Sequence, residues 1–168
     1  MLFAYTLTWG IVMRKDAGVT LMEAMVVIAI VAVLAAIAIP NWLAWRAKAK
    51  INGAATNLRG DLEMAKMRAI KENASVAVLF SANSYTVFID NGIGGGVADN
   101  WTRDGNELPL TNRQLAAGVT MSNTFSNSRT RFSGSGRPGV LGTSTLVDSR
   151  GVQRQITINS VGRIRLQY

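Results

Sequence analysis

The sequence predicts an α+β protein in which one long N-terminal helix packs on a head of antiparallel β-strands. Three observations support this class: an uncharged apolar run extends from Ala24 to Trp45, apolar residues then recur at helical spacing, and β-branched and aromatic residues dominate after Ala74. The predicted divisions are a leader at 1–18, a transmembrane helix at 19–45, an amphipathic helix at 46–73 and a β-rich head at 74–168.

The apolar run is long enough to cross a membrane. The 22 residues from Ala24 to Trp45 carry no charge, and at ~1.5 Å per residue they form a helix of about 33 Å, against a bilayer core of about 30 Å. Pro40 lacks a backbone N–H group and is expected to kink or loosen this helix. Trp42 and Trp45 occupy positions where amphipathic rings favour the membrane interface.

Glu23 lies at the start of this apolar run. A charged side chain costs roughly 2.5–3.5 kcal/mol at the membrane centre and less near the interface, so a positive partner is expected. A cut after Gly18 would make Val19 a free N-terminus, whose α-amino group, with a pKa of ~7.7–8.0, is largely cationic at neutral pH. Glu23 would then be the fifth mature residue, and its expected partner is an N-terminal amine of the same chain or of an adjacent subunit.

The segment from Gly18 to Glu23 (GVTLME), the apolar run and Pro40 together resemble the class III signal of type IV pilins and type II secretion pseudopilins. The resemblance implies a pilin-like fold, cleavage by prepilin peptidase between Gly18 and Val19, and N-methylation of Val19. It also implies assembly roles for Glu23 and Pro40, since Pro40 takes the family's mature position 22 (40 − 18 = 22). The family usually has Phe where this chain has Val19.

The first twelve residues, Met1 to Val12, are mostly apolar and precede the charged residues Arg14 and Lys15. A secretory signal has the opposite order, with its charges first. We therefore interpret residues 1–12 as the product of a misassigned start, with Met13 as the true start and a leader of six residues.

The helix is predicted to continue into the head and to end near Glu72 and Asn73, where Asn takes the left-handed cap position. Its predicted buried stripe is Ile51, Ala55, Leu58, Leu62, Ala65 and Ala69. A hairpin is predicted from Ser75–Ser81 and Ser84–Asp90, followed by a loop from Asn91 to Pro109. Further strands are predicted at Val119–Phe125, Arg129–Ser133, Thr143–Val147, Val152–Ile158 and Val161–Leu166.

Three segments of the head carry a second resemblance. They are Leu62–Asn73 (LEMAKMRAIKEN), Tyr85–Gly92 (YTVFIDNG) and Gln155–Arg165 (QITINSVGRIR), and they are similar to H-type minor pseudopilins and to the related FimT-type minor pilins. The choice between one curved sheet and a sandwich stays open.

Basic residues concentrate in the C-terminal part of the chain, where seven arginines between positions 129 and 165 face one acidic residue, Asp148. Strand alternation predicts that four of them point outward on neighbouring strands and form one cationic stripe. These candidate nucleic-acid-binding residues are Arg129, Arg131, Arg163 and Arg165. A solvated face, or a surface complementary to an acidic neighbouring pilin, is the alternative.

The sequence favours a protein without catalytic activity. It contains no histidine and no cysteine, which removes the commonest general base and all thiol chemistry. No cofactor is predicted. Carboxylates in the predicted loop are weak candidates for a calcium site, because their spacing matches no EF-hand pattern. They are Asp90, Asp99, Asp104 and Glu107.

The resemblance implies a minor pilin or pseudopilin that serves as a structural subunit of a type II secretion pseudopilus or a type IV pilus. Its implied partners are prepilin peptidase, other pilin or pseudopilin subunits and the bacterial inner membrane, with a secreted protein or DNA as further candidates. The head is expected in the periplasm. Two alternatives stay open: a FimT-like minor pilin that binds DNA for uptake, and an unprocessed single-pass anchor with a binding module.

Overall fold

The computed structural model describes residues 19–168, so the predicted leader and Gly18 lie outside the described residues. The chain divides into two compact units with a boundary between Asn41 and Trp42. One helix, α1 (Leu21–Glu72), is followed by eight strands. These are β1 (Ser75–Phe80), β2 (Ser84–Asp90), β3 (Pro109–Gln114), β4 (Val119–Asn123), β5 (Arg129–Phe132), β6 (Gly142–Asp148), β7 (Gln153–Ile158) and β8 (Ile164–Gln167).

The N-terminal unit, described from residue 19 to residue 41, is helical from Leu21 and contains no buried residue. Within α1, an 18-residue window has a mean hydropathy of 2.8 and none of it is buried, so the helix is long and apolar enough to cross a membrane. The helix is uninterrupted at Pro40, and the boundary between the two compact units follows one residue later. The assignment of 19–45 to a membrane stays a prediction.

In the second unit, residues 42–72 of α1 pack against the strands. The six residues of the predicted stripe are all buried, which confirms the predicted periodicity, and Ala54 is buried beside them. Asn73 follows the helix with φ 47°, in the left-handed conformation predicted for it. One hydrophobic core joins the helix to side chains from both sheets of the head.

The first sheet has the strand order β3-β2-β1-β5, with all pairs antiparallel. The predicted β1–β2 hairpin is confirmed. Strand β3 was not predicted, because its polar sequence (PLTNRQ) lies at an edge of the sheet and has no buried residue, so it lacks the alternation that marks a half-buried strand. The predicted loop therefore ends where β3 begins.

The second sheet has the order β4-β6-β7-β8, again antiparallel, so the head contains two four-stranded sheets and not one curved sheet. The predicted strands of this sheet are confirmed with changes of their bounds: β4 ends at Asn123 and not at Phe125, and the largest change is at β8. Strand β8 begins at Ile164 and not at Val161, because residues 159–162 form a tight turn in which the Gly162 N–H donates to the Asn159 carbonyl at 2.9 Å.

Both faces of the first sheet are covered. Val76 and Val78 point into the main core, whereas Ala77 and Phe88 point to the opposite face and are also fully buried. Arg131 is the cross-strand partner of Ala77 and shares its face. The loop at residues 91–108 packs on this face, because Trp101 from the loop contacts Arg131.

Candidate functional site

The N-terminal signature is organised by a helix cap. The Thr20 hydroxyl accepts a hydrogen bond from the backbone N–H of Glu23 at 3.2 Å, which places Thr20 at the N-cap and Glu23 at the third helical position. This is one half of a Ser/Thr-x-x-Glu capping box, a local sequence signal that marks the start of α1. Val19 is 72% exposed, directly before the cap.

The four candidate arginines lie on or directly before the edge strands of two different sheets. Arg129 and Arg131 lie on β5 at the edge of the first sheet, whereas Arg163 precedes and Arg165 lies on β8 at the edge of the second sheet. The predicted placement of all four on neighbouring strands is therefore wrong. Its basis, alternation along each strand, is confirmed, but β5 pairs with β1 and β8 pairs with β7, so the two pairs belong to different sheets.

Arg129 and Arg131 are engaged with the loop at residues 91–108. Each guanidinium carbon lies 4.7 Å from the centroid of the Trp101 ring, within range of a cation–π interaction. Arg131 Nη1 also donates to Asp99 Oδ1 at 3.1 Å and to the Asp99 carbonyl at 3.2 Å. Sequence reasoning did not find Trp101, because nothing in a turn-rich loop shows which strand it covers.

Three of the four predicted calcium candidates, Asp90, Asp104 and Glu107, hold the loop by accepting hydrogen bonds from its backbone N–H groups. Asp90 accepts from Asn100 N–H and Trp101 N–H, at 3.3 and 3.1 Å. Burial raises the pKa of Asp90, and the N–H groups partly offset this by favouring the carboxylate.

The other two carboxylates inside the loop have similar partners. Glu107 accepts from Gly92 N–H and from the backbone N–H of Asp104, at 2.9 and 3.2 Å. The Asp104 carboxylate accepts from Val97 N–H and from the Asn100 amide. Between residues 19 and 168, no three acidic side chains converge as a group that could hold a metal ion.

Arg163 and Arg165 present a different environment. Both are exposed, and with Arg59 from α1 and Gln167 they line an open cavity of about 350 Å³ beside β8. Three guanidinium groups around one cavity favour an anion, because each binds phosphate or carboxylate oxygens through its planar fork. Sequence reasoning missed Arg59, since only the packing of α1 beside β8 brings it to this place.

A glycine turn positions Arg163. Gly162 has φ 73°, and a Cβ atom there would lie 2.5 Å from the Gly136 carbonyl oxygen, so both the backbone and the space favour glycine. The Asn159 side chain accepts from Arg163 N–H at 2.8 Å, and Lys66 from α1 donates to the Gly162 carbonyl at 2.9 Å. The turn is thereby tied to the helix.

A buried polar group links α1 to the first sheet. Tyr85 donates to Asp61 Oδ2 at 2.6 Å, and Arg113 Nε donates to the same oxygen at 2.9 Å. Burial, followed by the bond to Asp61, raises the pKa of the Tyr85 phenol, and the Asp61 carboxylate raises the pKa of Arg113. This group joins α1 to β2 and β3 and stabilises the head.

The N-terminal part of the chain is similar to that of known pilins. A prokaryotic N-terminal methylation motif matches residues 13–39. The type IV major pilin protein PilA of Myxococcus xanthus is 49% identical over 45 residues, which cover 27% of this chain and 20% of the relative. The chain therefore matches about a fifth of that relative's length.

Solved structures share the fold of the head and helix. The type IV minor pilin FimU of Pseudomonas aeruginosa superposes with a TM-score of 0.56 at 18% identity, covering 72% of this chain and 90% of FimU. The minor pseudopilin EpsH of the type 2 secretion system of Vibrio cholerae gives a TM-score of 0.55 at 15% identity, covering 70% and 96% of the two chains.

An apolar N-terminal helix with a methylation motif, continuous with a helix packed on antiparallel sheets, defines the class of minor pilins and pseudopilins. The family profile described as type II transport protein GspH matches residues 54–162, which is more than half of the chain. The chain belongs to this GspH family.

Proposed function

We propose that this chain is a structural subunit of a type II secretion pseudopilus or a type IV pilus, and not a catalyst. In this proposal prepilin peptidase cuts after Gly18 and methylates Val19. The apolar helix then anchors the subunit in the inner membrane, with the head in the periplasm, until other subunits take it up. The observation that carries the proposal is the methylation motif over residues 13–39, together with an apolar helix that has no buried residue before residue 42.

In this proposal, Glu23 guides assembly of the subunit into the filament. Its carboxylate lies at the first turn of α1, in the segment predicted to be in the membrane, and an N-terminal ammonium group supplies the opposite charge after cleavage. An adjacent subunit presents that group in a filament. Pro40 completes the signature, because it is the twenty-second residue of a chain that begins at Val19 (40 − 18 = 22).

Substitution of Glu23 tests the assembly step. We expect Glu23→Ala to insert into the membrane normally but to disappear from the sheared filament fraction, whereas Glu23→Asp keeps the charge and retains part of the incorporation. N-terminal sequencing of the wild-type protein should find Val19 first. A mature protein that begins at Met1 or Met13 would instead support the unprocessed membrane anchor.

A second candidate function is DNA binding by the head, as a FimT-like minor pilin. The supporting observation is the cavity lined by three exposed arginines, Arg59, Arg163 and Arg165, since arginine side chains supply many of the phosphate contacts of DNA-binding proteins. The affinity of the full chain in detergent for duplex DNA should fall steeply between 50 and 200 mM salt. The fall should be roughly tenfold for every two DNA phosphates that the protein contacts. An affinity that does not respond to salt would exclude this function and leave the filament role intact.

A further inference from the structure

Strand β8 lies at the edge of the second sheet and, in the described part of the chain, pairs only with β7. Two other edge strands of the head are bonded to neighbouring segments. The Met121 N–H of β4 donates to the Ala82 carbonyl at 2.7 Å, and the Arg131 carbonyl of β5 accepts from the Gly139 N–H at 2.8 Å. Within residues 19–168, no backbone group of another segment bonds to the outer edge of β8. Such an edge is a template for pairing with another chain.

The register of the β7–β8 hairpin shows which backbone groups of β8 face outward. The Asn159 N–H donates to the Arg163 carbonyl at 3.1 Å, so these two residues form a hydrogen-bonded pair. Bonded and non-bonded pairs alternate along an antiparallel ladder, so Leu166, opposite Ile156, directs its N–H and C=O groups away from β7. Ile164 has the same orientation but is only 4% exposed. Leu166 is half-buried and lines the open cavity beside β8, so a second backbone can approach its groups from there.

The cavity beside this edge is cationic. Its walls are Arg59 from α1 and the consecutive residues 163–167, so they carry three arginines and no acidic residue. Arg59, Arg163 and Arg165 are all exposed, and none of them forms an ion pair within the described residues. The charges around the edge therefore favour an acidic partner.

The outward backbone groups of Leu166 distinguish between two kinds of acidic partner. The phosphates of duplex DNA accept hydrogen bonds and donate none, so DNA can contact the arginines and the Leu166 N–H but leaves the Leu166 carbonyl unpaired. An extended peptide supplies a carbonyl for the N–H and an N–H for the carbonyl, as in other cases where a peptide adds a strand to a sheet. The edge therefore suits an acidic peptide better than a nucleic acid.

We propose that the head binds an extended acidic segment of a partner protein, which adds an antiparallel strand to β8. The residue opposite Leu166 exchanges both backbone hydrogen bonds with it, and the side chain of that residue lies on the same face of the sheet as Leu166. The residues before and after it carry acidic side chains, which lie on the opposite face with Arg163 and Arg165. Arg59 contacts the segment from α1.

Strand addition at β8 deepens the proposed filament role and rests on it only for the source of the partner, which is another subunit or a secreted protein. It requires neither cleavage after Gly18 nor assembly through Glu23. Loss of filament incorporation in Glu23→Ala with normal peptide binding would therefore remove only the assembly step. Filament incorporation by a protein that does not bind the peptide would remove strand addition and leave the filament role.

The test measures binding of a labelled eight-residue peptide, in which valine and glutamate alternate, to the full chain in detergent by fluorescence anisotropy. With the glutamates on the face of the arginines, the valine N–H groups point toward β8 and the glutamate N–H groups point away from it. We expect N-methylation of the valines to weaken binding about tenfold, because it removes the donor to Leu166. N-methylation of the glutamates is the matched control, with the same charge and mass, and should leave the affinity unchanged.

Amide hydrogen exchange of the isotope-labelled protein, measured by NMR, locates the bound strand. The Leu166 N–H should exchange rapidly in the free protein and be protected about tenfold or more when the peptide is bound. The Arg165 N–H is the internal control, because Arg165 lies opposite Thr157 in a hydrogen-bonded pair of the ladder and is protected with or without the peptide.

Two variants of the protein separate the backbone contribution from the charges. Leu166→Pro removes the outward N–H without removing a ladder bond, and should weaken peptide binding about tenfold; its thermal unfolding shows that the head is folded. Arg163→Gln combined with Arg165→Gln should also weaken binding about tenfold. Arg103→Gln is the control for charge, because Arg103 is exposed on the loop at residues 91–108 and does not line the cavity, so it should change nothing.

Three outcomes would overturn strand addition at β8. The first is equal affinity for the two N-methylated peptides, which would show attraction of charge without backbone pairing. The second is a Leu166 N–H whose exchange does not change when the peptide is bound. The third is no binding of the peptide by a protein that binds duplex DNA through Arg163 and Arg165, which would assign the cavity to DNA.

Discussion

Two strands of the head carry the same Arg-x-Arg pattern and use it in opposite ways. Arg129 and Arg131 on β5 contact Trp101, and Arg131 pairs with Asp99. Arg163 and Arg165 at β8 are exposed beside a cavity that Arg59 also lines. Strand alternation turns all four side chains away from the main core, but an outward direction does not make a side chain available to a ligand.

The difference arises from the length of the segments that connect the strands of each sheet. The loop at residues 91–108, which joins β2 to β3, covers the outer face of the first sheet and places the Trp101 ring against two guanidinium groups. Strand β7 connects to β8 through the short turn at residues 159–162, which is too short to cover anything. The first arginine pair therefore stabilises the head, whereas the second pair is free to bind an anion.

Removal of the aromatic ring should have the largest effect. Trp101→Ala eliminates two cation–π contacts, at about 0.5–1 kcal/mol each, and uncovers the apolar face beneath the loop, so we expect a loss of roughly 2–3 kcal/mol of unfolding free energy. Urea denaturation of the protein in detergent, followed by circular dichroism, measures it. Tyr168→Ala is the control, since Tyr168 also contacts an arginine, at 5.1 Å, but is 81% exposed. Equal small losses in both variants would contradict the distinction between the two arginine pairs.

Neutralisation of each arginine pair tests the comparison directly. Arg163→Gln with Arg165→Gln should lower DNA affinity about tenfold and reduce the slope of log affinity against log salt by about 2, since each phosphate contact contributes ~0.9 to that slope. Arg129→Gln with Arg131→Gln should lower stability and leave the slope unchanged. The salt titration of both double variants distinguishes the two pairs, and a larger change in slope for the β5 pair would reverse the assignment.

Gly162, which precedes the β8 arginine pair, allows the cost of a steric clash to be separated from the cost of a positive φ angle. Gly162→Ala introduces a Cβ against the Gly136 carbonyl at positive φ, with an expected loss of about 1–2 kcal/mol. Gly151→Ala is a matched control, because Gly151 has φ 82° with no atom within 4 Å of the added Cβ, and should lose only about 1 kcal/mol. Thermal unfolding measures both, and equal melting temperatures would show that the close approach has no consequence.

The smallest predicted effect is a pH dependence of the unfolding free energy. It arises from Asp90, which accepts a hydrogen bond from the backbone N–H of Trp101. Burial raises the pKa of Asp90 in the folded protein, so Asp90 contributes most to stability below its unfolded pKa of ~3.9. That contribution is lost as pH rises through the higher folded pKa. Unfolding free energy measured from pH 3 upward should therefore fall relative to that of Asp90→Asn, which does not titrate. Parallel curves for the two proteins would contradict the raised pKa.

Much of this architecture was predictable from local pattern. The stripe from Ile51 to Ala69 has the period of one helix face, the branched and aromatic residues of β1 and β2 mark a hairpin, and the alternation at β7 marks a half-buried strand. Strand β3 was not predicted, because an exposed edge strand shows no alternation of apolar and polar residues. The site at β8 was found in part, through Arg163 and Arg165, but its third member, Arg59, lies more than a hundred residues earlier in the chain.

The sequence by itself determined the apolar helix, the position of Glu23, the periods of the helix and strands, and the family signature, because each depends on residues that are neighbours along the chain. Only the tertiary structure decided that there are two sheets, that Trp101 occupies one arginine pair, and that Arg59 shares a cavity with Arg163 and Arg165. These are contacts between distant segments. Their partners are selected by how strands pair and how loops close over them, and no local spacing encodes that choice.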